Sequence, residues 1–159
     1  MIQKANGMIR KATKEDAKLL AKLAIQMWDS HTIEGLEEEF EELVSSDKAA
    51  CFLAYAEREK ESVTDCPAIG FAQCQLRFDY VEGTETSPVG YLEGIFVEET
   101  YRHQGVASKL LIECQMWAKE KGCREFASDC ELDNADSFRF HMAMGFEEAG
   151  RVICFRKEL

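Results

Sequence analysis

The sequence predicts an α+β fold, in which helices flank a mixed, mostly antiparallel sheet with one parallel βαβ crossover. Two observations predict it. Apolar residues at helical spacing alternate with short apolar runs typical of strands, in the order β-α-α-β-β-β-α-β-α-β. Within that order, the strand Val89–Val97, a helix and the strand Arg124–Ser128 follow one another, and such a connection is parallel and right-handed.

The first half of the chain is predicted to hold one strand, two helices and two further strands. Thr13 and Asp16 have the spacing of a capping box before the first helix. The second helix carries six glutamates between Glu34 and Glu42, which form either a solvated face or an acidic approach for a cationic ligand. The elements are the strand Met8–Ala12, a helix with Leu20, Leu23, Ala24, Met27 and Trp28 on one face, a helix from about Glu34 with Leu36, Phe40, Leu43 and Val44 inside, and the strands Ala50–Ala56 and Ala68–Phe78 around the polar hairpin loop Glu57–Pro67.

The second half follows a turn-rich loop, Asp79–Pro88, with Gly83 and Pro88 as its turn residues. Glu93 interrupts the otherwise apolar strand Val89–Val97, which suggests a specific purpose for its charge. The remaining predicted elements are the helix Val106–Lys119, the strand Arg124–Ser128, the helix Asn134–Met144 ended by Gly145, and terminal strand material over Phe146–Lys157.

Length and composition favour one cytoplasmic domain over residues 1–159. Hydrophobic residues make up 46% of the chain, enough for a sizeable core, yet no apolar run approaches the ~18 residues of a membrane span. Thirty acidic residues against nineteen basic ones give a net charge of -11, which repels nucleic acid and anionic membranes and attracts cations. We therefore expect neither a nucleic-acid nor a membrane partner.

The seven cysteines are scattered and form no Cys-x-x-Cys pair, so the sequence suggests no metal site and no dithiol redox motif. Most of them lie in apolar segments, where a free cysteine packs as a small hydrophobe.

The turn before the helix at Val106 has the pattern of a diphosphate-binding site. The segment Arg102–Ala107 spells Arg-x-x-Gly-x-Ala between an apolar strand and a well-formed helix. A helix N-terminus offers unpaired N–H groups and the positive end of the helix dipole. Gly105 lets the backbone approach a ligand closely, and Arg102 adds a formal charge. An ordinary βα turn is the alternative.

With these motifs the chain resembles the GCN5-related N-acetyltransferase superfamily, from Met8 to the Gly145-Phe146 pair. Three central segments, Arg77–Pro88, Tyr91–Val97 and Glu125–Asp129, are similar to the aminoglycoside 6′-N-acetyltransferases. The resemblance implies direct transfer of an acetyl group from acetyl-CoA, with no metal, to the 6′-amino group of these cationic antibiotics. It also implies a homodimer, and resistance as the outcome.

The resemblance further implies the roles of particular residues. The pantetheine arm of the coenzyme would pair with the backbone at the end of the strand, the diphosphate would bind the amides from His103 to Ser108, and Asn134 would lie near the arm. Residues implied to line the aminoglycoside pocket are Trp28, Tyr80, Glu93 and Asp129. Residues implied to bind the coenzyme are Ile95, Phe96, Val97, Arg102, His103, Gln104, Gly105, Val106, Ala107, Ser108 and Asn134.

Aminolysis of a thioester needs a neutral amine, a stabilised oxyanion and a proton for the thiolate. Glu93 is the candidate that orients the amines and takes a proton, and Asp129 is the second carboxylate; either one instead faces solvent or forms a structural ion pair. A backbone N–H near Ile95–Phe96 is the candidate oxyanion donor. His141 stands where many superfamily members carry a tyrosine, and is either the acid or a packing or coenzyme contact.

The sequence pattern assigns no histidine partner to Ser128 or Cys130, so a covalent acyl-enzyme is not expected. Trp28 and Tyr80 are either flat walls for sugar rings or core residues. Two rival functions remain. One is an N-acetyltransferase for another small amine, a polyamine or a protein N-terminus, and the other is a non-catalytic acyl-CoA-binding module.

Overall fold

Five strands form one sheet in the order β1-β2-β3-β4-β5. The computed structural model describes residues 8–57 and 67–159. Neighbours from β1 to β4 pair antiparallel, and β5 pairs parallel to β4, which confirms the predicted mixed sheet with one crossover. The strands are β1 Ile9–Lys11, β2 Ala49–Tyr55, β3 Ala68–Arg77, β4 Val89–Val97 and β5 Phe126–Ser128.

Four α-helices lie in the predicted regions: α1 Ala17–Ala24, α2 Ile33–Ser45, α3 Val106–Glu120 and α4 Ala135–Ala143. Helix α1 ends earlier than predicted, so Met27 and Trp28 lie in the turn after it and not on its apolar face. Short 3-10 turns, Lys14–Asp16 and Glu99–Tyr101, precede α1 and α3. Two of the helices have side-chain caps, because the Thr32 hydroxyl accepts the Gly35 N–H at 3.1 Å and the Asn134 side chain accepts the Ser137 N–H at 3.1 Å.

The capping box predicted for Thr13 and Asp16 is joined to the sheet by an ion pair. The Asp16 carboxylate accepts the Thr13 N–H at 2.8 Å and two hydrogen bonds from the Arg10 guanidinium, each 2.7 Å long. Arg10 foremost, with help from Thr13, lowers the pKa of Asp16 to about 2. The entry to α1 is therefore fixed to β1 by charge as well as by burial.

Two apolar layers cover opposite faces of the sheet. Helix α3 packs on one face and α1 with α2 on the other, so consecutive β3 residues enter different cores. The α3 layer includes Phe52, Ala72, Leu92, Leu110, Leu111 and Trp117, and the α1–α2 layer includes Leu20, Leu36, Phe40, Leu53 and Phe71. Cys51, Cys74, Cys114 and Cys123 are buried, which confirms their prediction as small core residues.

The prediction of a strand over Phe146–Lys157 is wrong. Residues 146–159 form no helix or strand, and residues 147–159, which we call the C-terminal arm, are exposed throughout. A strand exists only where a neighbour pairs with its backbone, and within residues 8–57 and 67–159 no such neighbour meets this segment. Most of the predicted loop Glu57–Pro67 lies outside the described residues.

In the part of the chain that the structure describes, no helix combines the length and the apolar character that crossing a membrane requires.

Candidate functional site

A β-bulge at Glu93 brings two consecutive residues of β4 to one face of the sheet. Pairing with β3 shifts by one residue here, since Gln73 pairs with Gly94 and Cys74 with Leu92. Leu92 and Ile95 therefore both pack in the α3 layer, while Glu93 and Gly94 face the α1–α2 side. The bulge explains how a carboxylate interrupts an apolar strand without entering a core.

The Glu93 carboxylate belongs to a connected polar network. Arg77 donates two hydrogen bonds of 2.9 Å to it, from Nε and from a terminal nitrogen. The same guanidinium lies over the Tyr91 ring, 3.4 Å from the ring centroid, and the Tyr91 hydroxyl donates to Asp129. The two predicted carboxylates are thus brought to one site, and an arginine and a tyrosine join them.

Burial and hydrogen bonding shift the proton affinities of this network. Burial raises the pKa of Glu93 above its usual value, and the opposing effect of Arg77 is smaller. Burial, followed by the hydrogen bond to Asp129, raises the pKa of Tyr91 well above its usual range. Tyr91 therefore stays protonated at neutral pH, and Glu93 takes up a proton more readily than an exposed glutamate.

Trp28 lies beside the bulge, and Tyr80 lies on the neighbouring loop. A Cβ built on Gly94 would come within 2.8 Å of the Trp28 indole, so the glycine makes room for this ring. Trp28 also packs edge-on against Phe71, at 6.1 Å between centroids, and is half-buried. Tyr80 is 76% exposed. Of the two alternatives from the sequence, core packing applies in part to Trp28 and does not apply to Tyr80.

An acidic groove runs between α2 and the sheet on the same face. Its lining consists of Glu39, Glu42, Leu43, Ser46 and Gln73. Gln73, the one sheet residue of this lining, pairs with Gly94, the residue after Glu93 in β4. Two of the six glutamates of α2 therefore face a concave surface beside the bulge.

Strand β4 parts from β5 immediately after the polar network. The last parallel pair is Leu92 with Ser128, whereas β4 continues to Val97 along β3. Among the described residues no strand pairs with the β5-facing edge of β4 from Glu93 to Val97. The resemblance predicts that the backbone of Ile95–Val97 pairs with an extended ligand, and no strand of the described chain occupies this edge at Ile95 and Phe96, whereas the Val97 carbonyl accepts from Arg102.

The turn Arg102–Ala107 leaves the N-terminus of α3, which we call the α3 mouth, open to a ligand. Gly105 precedes α3 with φ +81°, and a Cβ there would meet nothing within 4 Å. His103 also has a positive φ, 59°. The Arg102 Nε–H donates to the Val97 carbonyl at 2.8 Å, which ties the turn to the end of β4. Arg102 thus joins the two segments of predicted coenzyme residues, among which the Val97 and Val106 side chains are buried in the core under α3 and only their backbone could meet a ligand.

The two predicted residues of the last helix region have different partners. Asn134 caps α4 through its Oδ1, which leaves its amide nitrogen to bind elsewhere. His141 Nδ1 lies 2.7 Å from the Ser137 carbonyl and Nε2 lies 2.8 Å from the Ser128 hydroxyl. The sequence pattern showed no histidine partner for Ser128, and the fold supplies one.

Arg77, Tyr91 and Ser128 are site residues to which the sequence pattern assigns no role. All three fall in the segments that resemble the aminoglycoside enzymes, and that position was the only signal available. Their contacts join β3 to β4, β4 to the end of β5, and β5 to α4, so spacing along the chain could not reveal them.

Comparisons with known proteins agree with this geometry. The acetyltransferase (GNAT) family model matches residues 17–146. An aminoglycoside N(6')-acetyltransferase type 1 from Salmonella enteritidis is 42% identical over 149 residues, which are 94% of this chain and 97% of that protein.

Solved structures extend the likeness to three dimensions. The aminoglycoside acetyltransferase AAC(6')-Iy in complex with the bisubstrate analogue CoA-S-monomethyl-acetylneamine matches with a TM-score of 0.86 at 40% identity, over 97% of this chain and 99% of that one. The same enzyme in complex with CoA matches with a TM-score of 0.88, at 40% identity over 97% and 96% of the two chains. The chain belongs to the acetyltransferase (GNAT) family, among relatives named aminoglycoside N(6')-acetyltransferases.

Proposed function

We propose that this protein transfers the acetyl group of acetyl-CoA to the 6′-amino group of aminoglycoside antibiotics in the cytoplasm, and that it thereby confers resistance. The observation that carries the proposal is the position of the polar network at the point where β4 parts from β5. At that point the carboxylate of Glu93 lies next to the unpaired edge of β4, and this edge leads toward the N-terminus of α3. The names of its relatives supply the acetyl donor and the class of acceptor.

The coenzyme would lie along this edge and end at α3. The first amides of α3 have no partner within the helix and suit a diphosphate, and the open space at Gly105 leaves room for one. The amide nitrogen of Asn134 and the backbone of Ile95–Val97 suit the polar groups of an extended pantetheine arm. Within residues 8–57 and 67–159 no three histidine, cysteine or acidic side chains cluster as a metal site requires, and the proposal includes no metal.

The acceptor would bind on the α1–α2 face. Glu93 and Asp129 attract its ammonium groups, the glutamates of the groove extend the acidic surface, and Trp28 and Tyr80 offer flat contacts to sugar rings. The raised pKa of Glu93 suits a group that removes a proton from an incoming ammonium near neutral pH. His141 supplies the later proton for the thiolate, and a β4 amide near Ile95 stabilises the oxyanion.

The activity is tested with purified protein, acetyl-CoA and kanamycin, with thiol release as the readout and NMR to locate the acetylated nitrogen. Acetylation at the 6′-amino group supports the proposal. Acetylation of a polyamine or a peptide N-terminus at a higher kcat/KM would show that the acceptor is not an aminoglycoside. Tight coenzyme binding without turnover on any amine would show that the protein is an acyl-CoA-binding module and not an enzyme.

A homodimer is the second part of the proposal, and the C-terminal arm supports it. Val152, Ile153 and Phe155 are 76%, 82% and 90% exposed, which is unusual for apolar residues in one run. The short last strand β5 and helix α4 contain no buried residue, so this end of the molecule lacks a cover. The arm of a second copy would provide that cover, in a two-fold exchange.

Analytical ultracentrifugation tests the dimer. The full chain should sediment as a dimer, and a chain that ends at Gly150 should sediment as a monomer. A monomeric full chain at micromolar concentration would remove this part of the proposal and leave the acetyl transfer untouched.

A further inference from the structure

The Ser128 hydroxyl and the His141 imidazole form a hydrogen-bonded pair between β5 and α4. Ser128 is the last residue of β5, and its Oγ lies 2.8 Å from His141 Nε2. The other ring nitrogen lies 2.7 Å from the Ser137 carbonyl oxygen one helical turn earlier. Both nitrogens of the imidazole therefore have a partner, and the ring is held in one orientation.

The partners decide the direction of both hydrogen bonds in the neutral ring. A carbonyl oxygen only accepts, so Nδ1 carries the proton and donates it to Ser137. Nε2 is then left with a lone pair, and the hydroxyl of Ser128 donates to it. This is the arrangement of a hydroxyl beside an oriented base, in which the hydroxyl can pass its proton to the base.

Two aromatic rings flank the imidazole, and the Ser137 hydroxyl lies 3.4 Å from its Nδ1. Phe146 lies 5.1 Å from the imidazole between centroids, and Phe140 lies at 5.7 Å. Of the charged groups on the adjoining elements, Asp136 and Arg139 pair with each other on the exposed side of α4, and Asp129 accepts from Tyr91.

The pair stands where the acetyl transfer is proposed to occur. Ser128 pairs with Leu92, the last residue of β4 before the bulge, and its Oγ lies 3.4 Å from the Leu92 carbonyl. The next residues of β4 are Glu93, which would hold the amine, and the unpaired edge that would hold the thioester. The hydroxyl therefore lies on the α3 side of the sheet at the point where β4 and β5 part, and Glu93 follows the same point on the α1–α2 side.

We propose that Ser128 is a catalytic residue that relays protons between the reacting atoms and His141, which acts through it as a positioning base. The inference rests on the proposed acetyl transfer. As the amine nitrogen bonds to the thioester carbon, its surplus proton moves to Ser128 Oγ while the Ser128 proton moves to His141 Nε2. When the carbon–sulfur bond breaks, Ser128 Oγ passes the proton it received to the thiolate, and His141 Nε2 returns a proton to Ser128 Oγ. The net change is one proton carried from nitrogen to sulfur.

Single-turnover acetylation of kanamycin, with acetyl-CoA bound in advance, tests the relay. Ser128→Ala should lower the rate of the chemical step by about 100-fold, the lower end of the roughly 10²–10⁴-fold that a positioned proton-transfer group contributes. Ser128→Thr, which keeps the hydroxyl, should retain most of the rate. His141→Gln should match Ser128→Ala, and the double variant should be no slower than the slower single variant, because the two groups act as a unit. Cys130→Ala, two residues away, is the control.

The solvent isotope effect separates a relay from a structural role. In mixtures of H₂O and D₂O the wild-type rate should curve with deuterium content because two protons move together, and the dependence should become linear in Ser128→Ala. Thermal unfolding identifies variants that fail to fold, and Ser128→Thr then carries the test. A Ser128→Ala variant with at least half of the wild-type rate overturns the relay, as does an acetylated Ser128 on mass spectrometry. A wild-type protein without acetyl transfer overturns the proposed function instead.

Discussion

Arg77 holds the Glu93 carboxylate by two hydrogen bonds of 2.9 Å across β3 and β4, at the one point where the pairing of these strands is interrupted by a bulge. The ion pair fixes a half-buried carboxylate in the centre of the proposed acceptor site. It also makes the charge state of Glu93 depend on Arg77, which lies sixteen residues away in the sequence.

Replacing Glu93 with Gln should lower kcat/KM for kanamycin by about 100-fold, because the variant loses both the attraction for ammonium and the proton acceptor. The Kd for acetyl-CoA, measured by calorimetry, should change by less than about twofold, since no coenzyme contact is assigned to this side chain. Glu120→Gln, at the exposed far end of α3, is the control. Equal kcat/KM in Glu93→Gln and wild type would remove Glu93 from the acceptor site.

The Arg77→Gln variant should shift the pH dependence of kanamycin binding. Arg77 opposes the effect of burial on Glu93, so its loss raises the pKa of Glu93 further. A carboxylate with a higher pKa is protonated earlier on acidification, and binding should therefore be lost at a higher pH than in wild type. Calorimetry from pH 8 down to pH 5 checks this. An unchanged midpoint, with Arg139→Gln as control, would mean that Glu93 does not govern binding.

Replacing Gly105 with Ala should weaken acetyl-CoA binding by at least about tenfold. The new methyl group would occupy the open space at the α3 mouth, and the positive φ of this position strains any L side chain by roughly 1–2 kcal/mol. Gly122→Ala is the matched control, because Gly122 has φ +88° with open space beside it but follows the other end of α3. Both variants should lose similar stability in thermal unfolding, and only Gly105→Ala should lose affinity. Equal affinities in the two would place the diphosphate elsewhere.

The double substitution Glu39→Gln with Glu42→Gln should raise KM for kanamycin several-fold at low salt and leave kcat within about twofold. Both carboxylates line the groove beside the bulge, and salt screens their attraction over about 10 Å at 0.1 M. The difference from wild type should therefore shrink as salt is added. Glu34→Gln with Glu37→Gln removes the same charge from α2 outside the groove. If that control raises KM equally, the effect belongs to net charge and the groove is not an acceptor surface.

Asp16→Asn should destabilise the fold by about 1–2 kcal/mol at pH 7, because it leaves Arg10 without its bidentate partner. Arg10 lowers the pKa of Asp16 to about 2, below the value of an exposed aspartate near 3.9. The stabilisation is therefore complete above about pH 5 and is lost as pH falls toward 2. Urea unfolding at several pH values should show the two proteins converging in acid. Asp136→Asn, in an exposed pair with Arg139, should change stability by less than about 0.5 kcal/mol.

Local patterns in the sequence predicted nearly every element of the fold. The apolar stripe of α1, the Thr13–Asp16 box and the run Val89–Val97 each depend on residues within one or two turns of chain, so they carry their own evidence. The prediction of a C-terminal strand was wrong because it could not be made from local sequence alone. Its apolar residues are suited to a sheet, but a strand needs a partner backbone that local sequence does not specify.

The features of the candidate site also fall into those set by local sequence and those set by tertiary structure. By itself the sequence determined the order of elements, the Arg102–Ala107 turn and the acidic character of the molecule, because these are properties of contiguous residues or of composition. Only the tertiary structure decided that Arg77 binds Glu93 and that Ser128 binds His141. These pairs depend on a one-residue shift in strand pairing and on the seating of α4 against β5, which long-range packing sets and local spacing does not.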